Sequence, residues 1–576
     1  MNLRIVMMMM LAVSQDIHTS LPQVLPAGKG TIEGQVLADG TNEPIEDAIV
    51  ILARMGDATG LPEIPPVITD RQGRFTFKNL DTGTYRLAFE KNGYVRQEYG
   101  QRVFPGSGTL LELAEVKVLR DLVVRLSRTA IISGRIQDDD KQPLAGIPVE
   151  LLRLVYDQTG ERQLQTFGSA ETDDRGEYRL YFVTPGRYYL KAGTPEPGGC
   201  CNGLRPSRNE VPAAFRSMFY PGANDLQFAM PLDVKASSEI SGIDLVLSRQ
   251  RLFRIRGRVI DTATGQPPAQ AELSLATSSG YTTDQFGGPK GTFENGSFEF
   301  RDVMPGLYEL SARVAAPAAP RTGASAPRGR AGELRSKGSI SLAVDSSDLD
   351  GLVLPVLPVG SISGRIRIEG VNSQLAGFFT DGIPSRSLLV SLFGRNASAP
   401  GQRRIYAYGS PSPDGMFRID NVAPGEYEVD LWSPSSSFYI KDARFGGIDV
   451  LNHPFQFNSQ GIPSMTLDIL LSSSTGKLQG SVTVGKGSAA GVQVVLVPDR
   501  LPRRPELFRD VKTNQDGFFS ISNIVPGDYK VFAWESIEPY SWFDPQLLAQ
   551  SESRAKSLRV VELSAQTLEL RAIPAQ

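Results

Sequence analysis

Along most of this chain, apolar and polar residues alternate with a period of two, in short runs cut off by turn residues. Ile132-Ser133-Gly134-Arg135-Ile136 and Ile362-Ser363-Gly364-Arg365-Ile366 are two such runs. A period of two puts every second side chain on one face, so each run predicts a strand buried on one side. Further strands are predicted at Ala48–Leu52, Ile147–Leu152, Ala271–Leu275, Leu388–Leu392 and Val492–Val497, each following a polar turn rich in Pro or Gly. Leu122–Leu126, Ile243–Leu247, Leu352–Val356 and Leu467–Leu471 read as closing strands, each a few residues before the next run begins.

These runs belong to a repeat. A turn with glycine, an aromatic strand, a bend and a Gly-x-Tyr strand recur five times, over 70–85, 173–188, 293–308, 413–427 and 514–529. The two glycines of each copy are always ten residues apart, from Gly73 and Gly83 in the first to Gly517 and Gly527 in the last. Phe75, Tyr178, Phe298, Phe417 and Phe519 follow the first glycine by two residues, and an entry glycine precedes each copy at Gly34, Gly134, Gly257, Gly364 and Gly480. About seven short strands per roughly 100 residues predict β-sandwiches. The expected division is a signal peptide over 1–14, a linker over 15–28, and sandwiches over 29–128, 129–250, 251–358, 359–474 and 475–576. The short connections predict neighbours stacked with little freedom, in an extended rod.

Local chemistry accounts for the spacing. The first glycine stands where a turn such as Thr172-Asp173-Asp174-Arg175-Gly176 needs positive φ. Pro185-Gly186, Pro305-Gly306, Pro424-Gly425 and Pro526-Gly527 predict a second tight turn, with the proline rigid and the glycine permissive. The tyrosine that follows is expected to point inward. Of the 57 glycines and 40 prolines among 576 residues, ten glycines and these four prolines are spent on the two recurring turns.

Scarcity narrows the chemistry. The only histidines are His18 and His453 and the only cysteines Cys200 and Cys201, too few for a zinc finger, a three-histidine metal site or a disulfide framework. A net charge of −3 gives no footprint for nucleic acid. Arg4, the apolar run Ile5–Val13 and the small residues of Ala12-Val13-Ser14 fit a short secretory signal, and nothing later reaches transmembrane length. Cys200-Cys201 lies in a Pro-Gly-Gly-Cys-Cys-Asn-Gly loop. The sequence allows a strained vicinal disulfide there, two thiols, or a bridge to another chain.

Thr172-Asp173-Asp174-Arg175-Gly176-Glu177-Tyr178-Arg179-Leu180 with Pro185-Gly186-Arg187-Tyr188-Tyr189-Leu190 resembles the carboxypeptidase regulatory-like domain. Phe219-Tyr220-Pro221-Gly222, Ser241-Gly242-Ile243-Asp244 and the run from Asp516 to Glu535 further resemble exported bacterial proteins built of tandem copies. The resemblance implies an all-β chain of five seven-stranded Greek-key, transthyretin-like sandwiches, of a fold group described as carbohydrate-binding-like. It implies no peptidase. Metallocarboxypeptidases need a His-x-x-Glu pair, and neither His18-Thr19-Ser20-Leu21 nor His453-Pro454-Phe455-Gln456 supplies one.

Candidate binding residues lie in the last two copies. Alternation turns Glu428, Asp430 and Trp432 outward in one, and Lys530, Phe532 and Trp534 in the other. An outward Trp beside carboxylates can stack on a sugar while the acids take its hydroxyls. Alternatively the C-terminal segment covers the last pair. There, Asp544-Pro545 predicts the cap and first position of a helix reaching about Ser553. Asp70, Asp173, Asp174, Asp414 and Asp516 lack the spacing of a calcium loop and read as turn formers. Lys29 and Lys477 are weak candidates for intramolecular isopeptide bonds, and Ala315–Gly338 reads as a flexible excursion. The resulting expectation is a non-catalytic exported scaffold of the cell envelope, without cofactor or metal. Its expected partner is a polysaccharide or another envelope protein, and sugar binding is the alternative function.

Overall fold

The computed structural model describes residues 29–575, apart from 56–63, 116, 159, 161, 194–214, 216, 250, 278–290, 316–333, 371–387, 396–402, 433–437, 459–464, 486–488 and 500–503. Its elements are strands, short 3-10 turns and one α-helix, Pro545–Ser551, among the described residues. The entry strand lies at the centre of one layer of each repeat. In the first, Gly30–Ala38 pairs antiparallel with Arg74–Leu80 and parallel with Val118–Leu126. In the last, Gly476–Thr483 lies between Phe518–Ile524 and Ala565–Arg571 in the same way. A second layer pairs Ile49–Arg54 with Gly83–Glu90, and correspondingly Gln493–Pro498 with Gly527–Trp534. The chain between the two parallel strands crosses to the second layer and back, so the apolar faces of both sheets meet.

The entry glycine is required by close approach. A Cβ at Gly34, Gly257, Gly364 or Gly480 would lie between 1.9 and 2.3 Å from a carbonyl oxygen of the parallel closing strand, and one at Gly134 would lie 2.0 Å from that of Ile243, between the short parallel strands Glu239–Ile240 and Leu245–Leu247. The repeated aromatic packs over the same spot, with Phe417 Cζ 2.3 Å from a Cβ at Gly364. Each repeated tyrosine is buried, at 0–3% exposure. Four of the five donate the hydroxyl to the carbonyl four residues back, as Tyr308 does to Met304 at 2.9 Å. Tyr188 Oη lies 2.5 Å from Thr184 Oγ1 instead. The ring fills the core, and its polar end ties the bend to the strand.

The second turn differs from expectation. Gly83, Gly186, Gly306, Gly425 and Gly527 simply open their strands. The left-handed residue stands four positions earlier, at Asn79, Phe182, Asp302, Asn421 and Asn523, with φ between 56° and 63°. In each copy it sits in a register shift at the end of the aromatic strand, as between the pairs Ile32↔Phe77 and Gly30↔Leu80. A bulge there takes up the strain of the corner.

The third repeat brings a second correction. The ends of the supposed excursion are strand, because Leu334–Val344 alternates and pairs with Gly306–Ala315 from Gly306↔Val344 to Ala315↔Leu334. Ser336 and Lys337 also pair with Pro358 and Leu357 of the closing strand, joining both layers into one seven-stranded sheet. Residues 316–333 of the excursion lie outside the described residues. Buried apolar residues form a cluster in each repeat, and the last repeat has a second one.

Candidate functional site: the junction of the first, second and last sandwiches

Phe532 and Trp534 lie on the sheet face turned away from the main core of the last sandwich, but they are 1% and 4% exposed. Their rings stack at 4.9 Å under Trp542, Leu548 and Ile573, and Trp534 Nε1 donates to Ser551 Oγ at 3.4 Å. The segment after the strand folds over them, with Asp544 capping the helix through the Gln546 amide at 2.8 Å. Neither ring is open to a sugar. Glu428 and Asp430 are half-buried opposite Phe393 and Ser391, and Asp430 Oδ1 accepts the Leu431 amide at 2.7 Å. Trp432 ends that strand opposite Leu389, and its side chain lies outside the described residues, as do Cys200, Cys201 and all of 1–28.

Asp70, Asp173 and Asp414 serve their own turns. Asp70 Oδ1 accepts the amides of Gln72 and Arg74, and Asp173 Oδ1 those of Arg175 and Glu177. Lys29 pairs with Asp81, and Lys477 is exposed. His453 is exposed. No group of three potential ligands that could hold a metal ion occurs among the described residues, and no helix among them is long and apolar enough to cross a membrane.

What the structure brings together is the two ends of the array. Arg102 Nε donates to the Ala490 carbonyl at 2.9 Å, Thr109 Oγ1 to that of Thr513, and Lys512 Nζ to that of Ser107. The Gln515 side-chain amide donates to the Glu112 carbonyl and accepts its N–H, both at 3.1 Å, as a neighbouring strand would. Asn514 Nδ2 donates to Glu112 Oε2 at 3.2 Å, and Lys117 pairs with Asp516 at 3.5 Å. The Gly491 turn has φ +74°, and a Cβ on it would lie 2.1 Å from the Gly100 carbonyl oxygen. The second sandwich joins through Tyr156, whose hydroxyl donates to Asp544 at 2.9 Å, and through Phe104 of the first, set edge-on to Phe167. A straight rod is therefore not the arrangement: the chain closes on itself.

A cleft of about 1220 Å³ lies at this junction, walled by the first, second and last sandwiches. Arg86, Arg102 and Lys512 line it, with Asp510, Glu535 and Glu538. Burial pushes the Lys512 ammonium and the Arg102 guanidinium down, and the Asp510 and Glu538 carboxyls up. Arg86 Nε, Arg153 Nη1 and Glu538 Oε1 are buried without a hydrogen-bond partner, although Arg153 and Glu538 stand 4.0 Å apart. Sequence reasoning missed these residues because the repeat does not contain them. It also missed Thr69, Thr172 and Thr513, buried just before the first turn. Thr513 Oγ1 accepts the Val492 amide at 2.9 Å and donates to the Ala489 carbonyl.

Comparison with known proteins adds the following. The chain is similar in structure to a streptococcal ancillary pilin, at 13% identity and a TM-score of 0.22, covering 57% of this chain and 99% of that one. It is similar to the Bacillus anthracis TIE protein at 10% identity and a TM-score of 0.15, covering 77% and 73%. A third likeness is to GBS52, the minor pilin of Streptococcus agalactiae, at 15% identity and a TM-score of 0.21, covering 39% and 97%. No curated protein matches. Residues 31–115 match the family model described as the carboxypeptidase regulatory-like domain. They span the entry, aromatic and Gly-x-Tyr strands of the first sandwich, so the chain carries a carboxypeptidase regulatory-like domain.

Proposed function

We propose that this chain is a non-catalytic, exported scaffold or interaction protein of the cell envelope, a closed framework of five sandwiches divided at the boundaries given above. One observation carries the reading: every position that recurs in the repeat is used up by the fold. The entry glycine admits the closing strand, the aromatic covers that glycine, and the tyrosine hydroxyl is bonded to the bend. What five copies share is a way of making a rigid body. Buried clusters that each stay within one proposed sandwich support the division, and connections such as Leu126 to Ala130 and Pro358 to Gly360 support stiff joints. Export rests on the residue pattern of 1–14.

Two measurements test this. Mass spectrometry of the native chain is expected to find an N-terminus created by cleavage after Ser14, and an intact Met1 would remove export. Cross-linking in intact cells, followed by purification of the chain, is expected to recover an envelope protein bound to it. Recovery of the uncross-linked chain alone would remove the scaffold role.

A further inference from the structure

The joints between sandwiches divide the chain into two bodies. Between the first and second, the Thr129 amide donates to the Gly93 carbonyl at 3.0 Å and the Val95 amide to that of Ser127 at 2.8 Å, and Phe104 packs on Phe167. Between the third and fourth, one residue separates Leu349–Pro358 from Gly360–Ile368, and its amide, that of Val359, donates to the Arg335 carbonyl at 3.0 Å. Lys441 of the fourth stands 2.9 Å from Glu562 of the last and 2.6 Å from Glu369. The longest joint runs from Leu247 to Phe253, with five residues between strands where the others have one or three.

The two bodies meet again at the junction, and the seam there is weakly built. None of the buried apolar clusters crosses it, so each sandwich keeps its core without it. Arg102, Thr109 and Lys512 each reach across to a single main-chain carbonyl. The Glu112 and Gln515 bonds are exposed, and the side chains of the Lys117–Asp516 pair are about half-exposed, where an ion pair contributes little. A cleft of about 1220 Å³ stands where a tight interface would be filled. Closure also takes charge out of water. Burial is the main cause that holds Arg102 and Lys512 below their ordinary range. Arg153 and Glu538 face each other across the seam at 4.0 Å, and Arg153 Nη1 and Glu538 Oε1 have no hydrogen-bond partner. Water returns to each of these groups what the seam withholds. A polar, incompletely filled contact between domains that have their own cores allows them to move apart.

We propose that the seam is a clasp: the first two sandwiches part from the last three as rigid bodies, turning about the joint from Leu247 to Phe253, while all five stay folded. Opening converts the closed framework into the extended form that short connections alone predict. It bares Arg102, Thr109 and Glu112 on one body and the Gly491 and Gln515 turns on the other. The clasp requires the closed junction but not the scaffold role, so the two proposals fail separately.

The test uses the full chain in rising urea. Small-angle scattering follows the radius of gyration, and far-ultraviolet circular dichroism follows the strands. Carbodiimide coupling of Lys117 to Asp516, mapped by mass spectrometry, follows the seam. The radius is expected to rise, and the Lys117–Asp516 link to disappear, at urea concentrations where the dichroism is still native. Gln515→Ala removes both bonds to the Glu112 backbone. It is expected to shift this opening about tenfold toward the open form and to leave the later loss of dichroism in place. A radius that stays constant until the dichroism falls overturns the proposal, as does an opening that Gln515→Ala leaves unmoved. A chain already extended and without the link in the absence of urea overturns it too, since no clasp is then closed.

Discussion

The entry glycine makes the sharpest claim about what holds each sandwich together, and Gly480→Ala tests it. The new Cβ would lie 1.9 Å from the Leu568 carbonyl oxygen and 2.8 Å from the Phe519 ring, where ordinary contact begins near 3.4 Å. The parallel strand would have to withdraw by about 1.5 Å from a spacing of about 4.8 Å, which the ladder cannot do without losing bonds. Overpacking costs about 1–3 kcal/mol and each lost ladder bond about 1 kcal/mol, while Ala for Gly returns about 0.4–1 kcal/mol through the unfolded state. The net expectation is a loss of about 3 kcal/mol, a fall in Tm of roughly 10–20 °C for a domain of this size. Whole-chain unfolding of five domains is not two-state, so the readout must be local. The three tryptophans provide it: Trp534 and Trp542 are buried in the last sandwich, and Trp432→Phe removes the third. In that background Gly485→Ala is the control, since a Cβ there meets nothing within 4 Å. It should leave Tm unchanged or slightly raised. If Gly480→Ala also lies within about 2 °C of the parent, close strand approach is not what selects the glycine.

Four further outcomes are expected. Phe182 is 64% exposed and held at φ 56° where three other copies have Asn and one Asp, so Phe182→Asn should stabilise the second sandwich by about 1 kcal/mol. No gain in calorimetry of the full chain would refute this. Thr513→Val leaves the Val492 amide unpaired in the core and should cost about 1–3 kcal/mol by tryptophan emission, with Thr513→Ser near neutral; equal losses would deny the hydroxyl its role. Gly491→Ala should part the Gly100 contact and raise the radius of gyration in small-angle scattering, and an unchanged radius would show that the junction is not so tightly set. The Asp544 carboxyl is held below its ordinary range, first by the Gln546 amide and then by the Tyr156 hydroxyl. A lowered folded pKa gives stability that is present above the unfolded value of about 3.9 and lost as pH falls through the folded one. The Asp544→Asn variant should therefore show a flatter stability profile than wild type below pH of about 4, and identical profiles would refute the assignment.

The interior of the sandwiches was legible because it is periodic and repeated. Alternation located the entry strands, and the constant spacing of glycine, aromatic and tyrosine located the rest. The Asp544-Pro545 pair foretold the helix that now covers Trp534. Where sequence reading failed, another signal hid the physics. Pro-Gly looks like the strained corner, so the left-handed Asn79, Asn421 and Asn523 passed unnoticed in strands of ordinary alternation. The Ala-, Pro- and Arg-rich stretch before Leu334 masked a strand whose own residues alternate plainly.

The junction was hidden for a deeper reason. A period of two reports which face of a strand turns into its own sheet pair, and says nothing of which polar loops meet hundreds of residues away. Gln515 shows the difference. It occupies a turn position held by Arg71 in the first copy and Asp174 in the second, each two residues before the turn glycine. All three are compatible with the turn, so the repeat places no demand on the residue there. In the last copy alone its amide pairs with both backbone groups of Glu112. Departures from the repeat at positions the fold leaves free are thus where one copy becomes distinct from another, and Arg86, Thr109 and Lys512 belong to that same class. The shared residues build the sandwich, and the unshared ones decide what it touches.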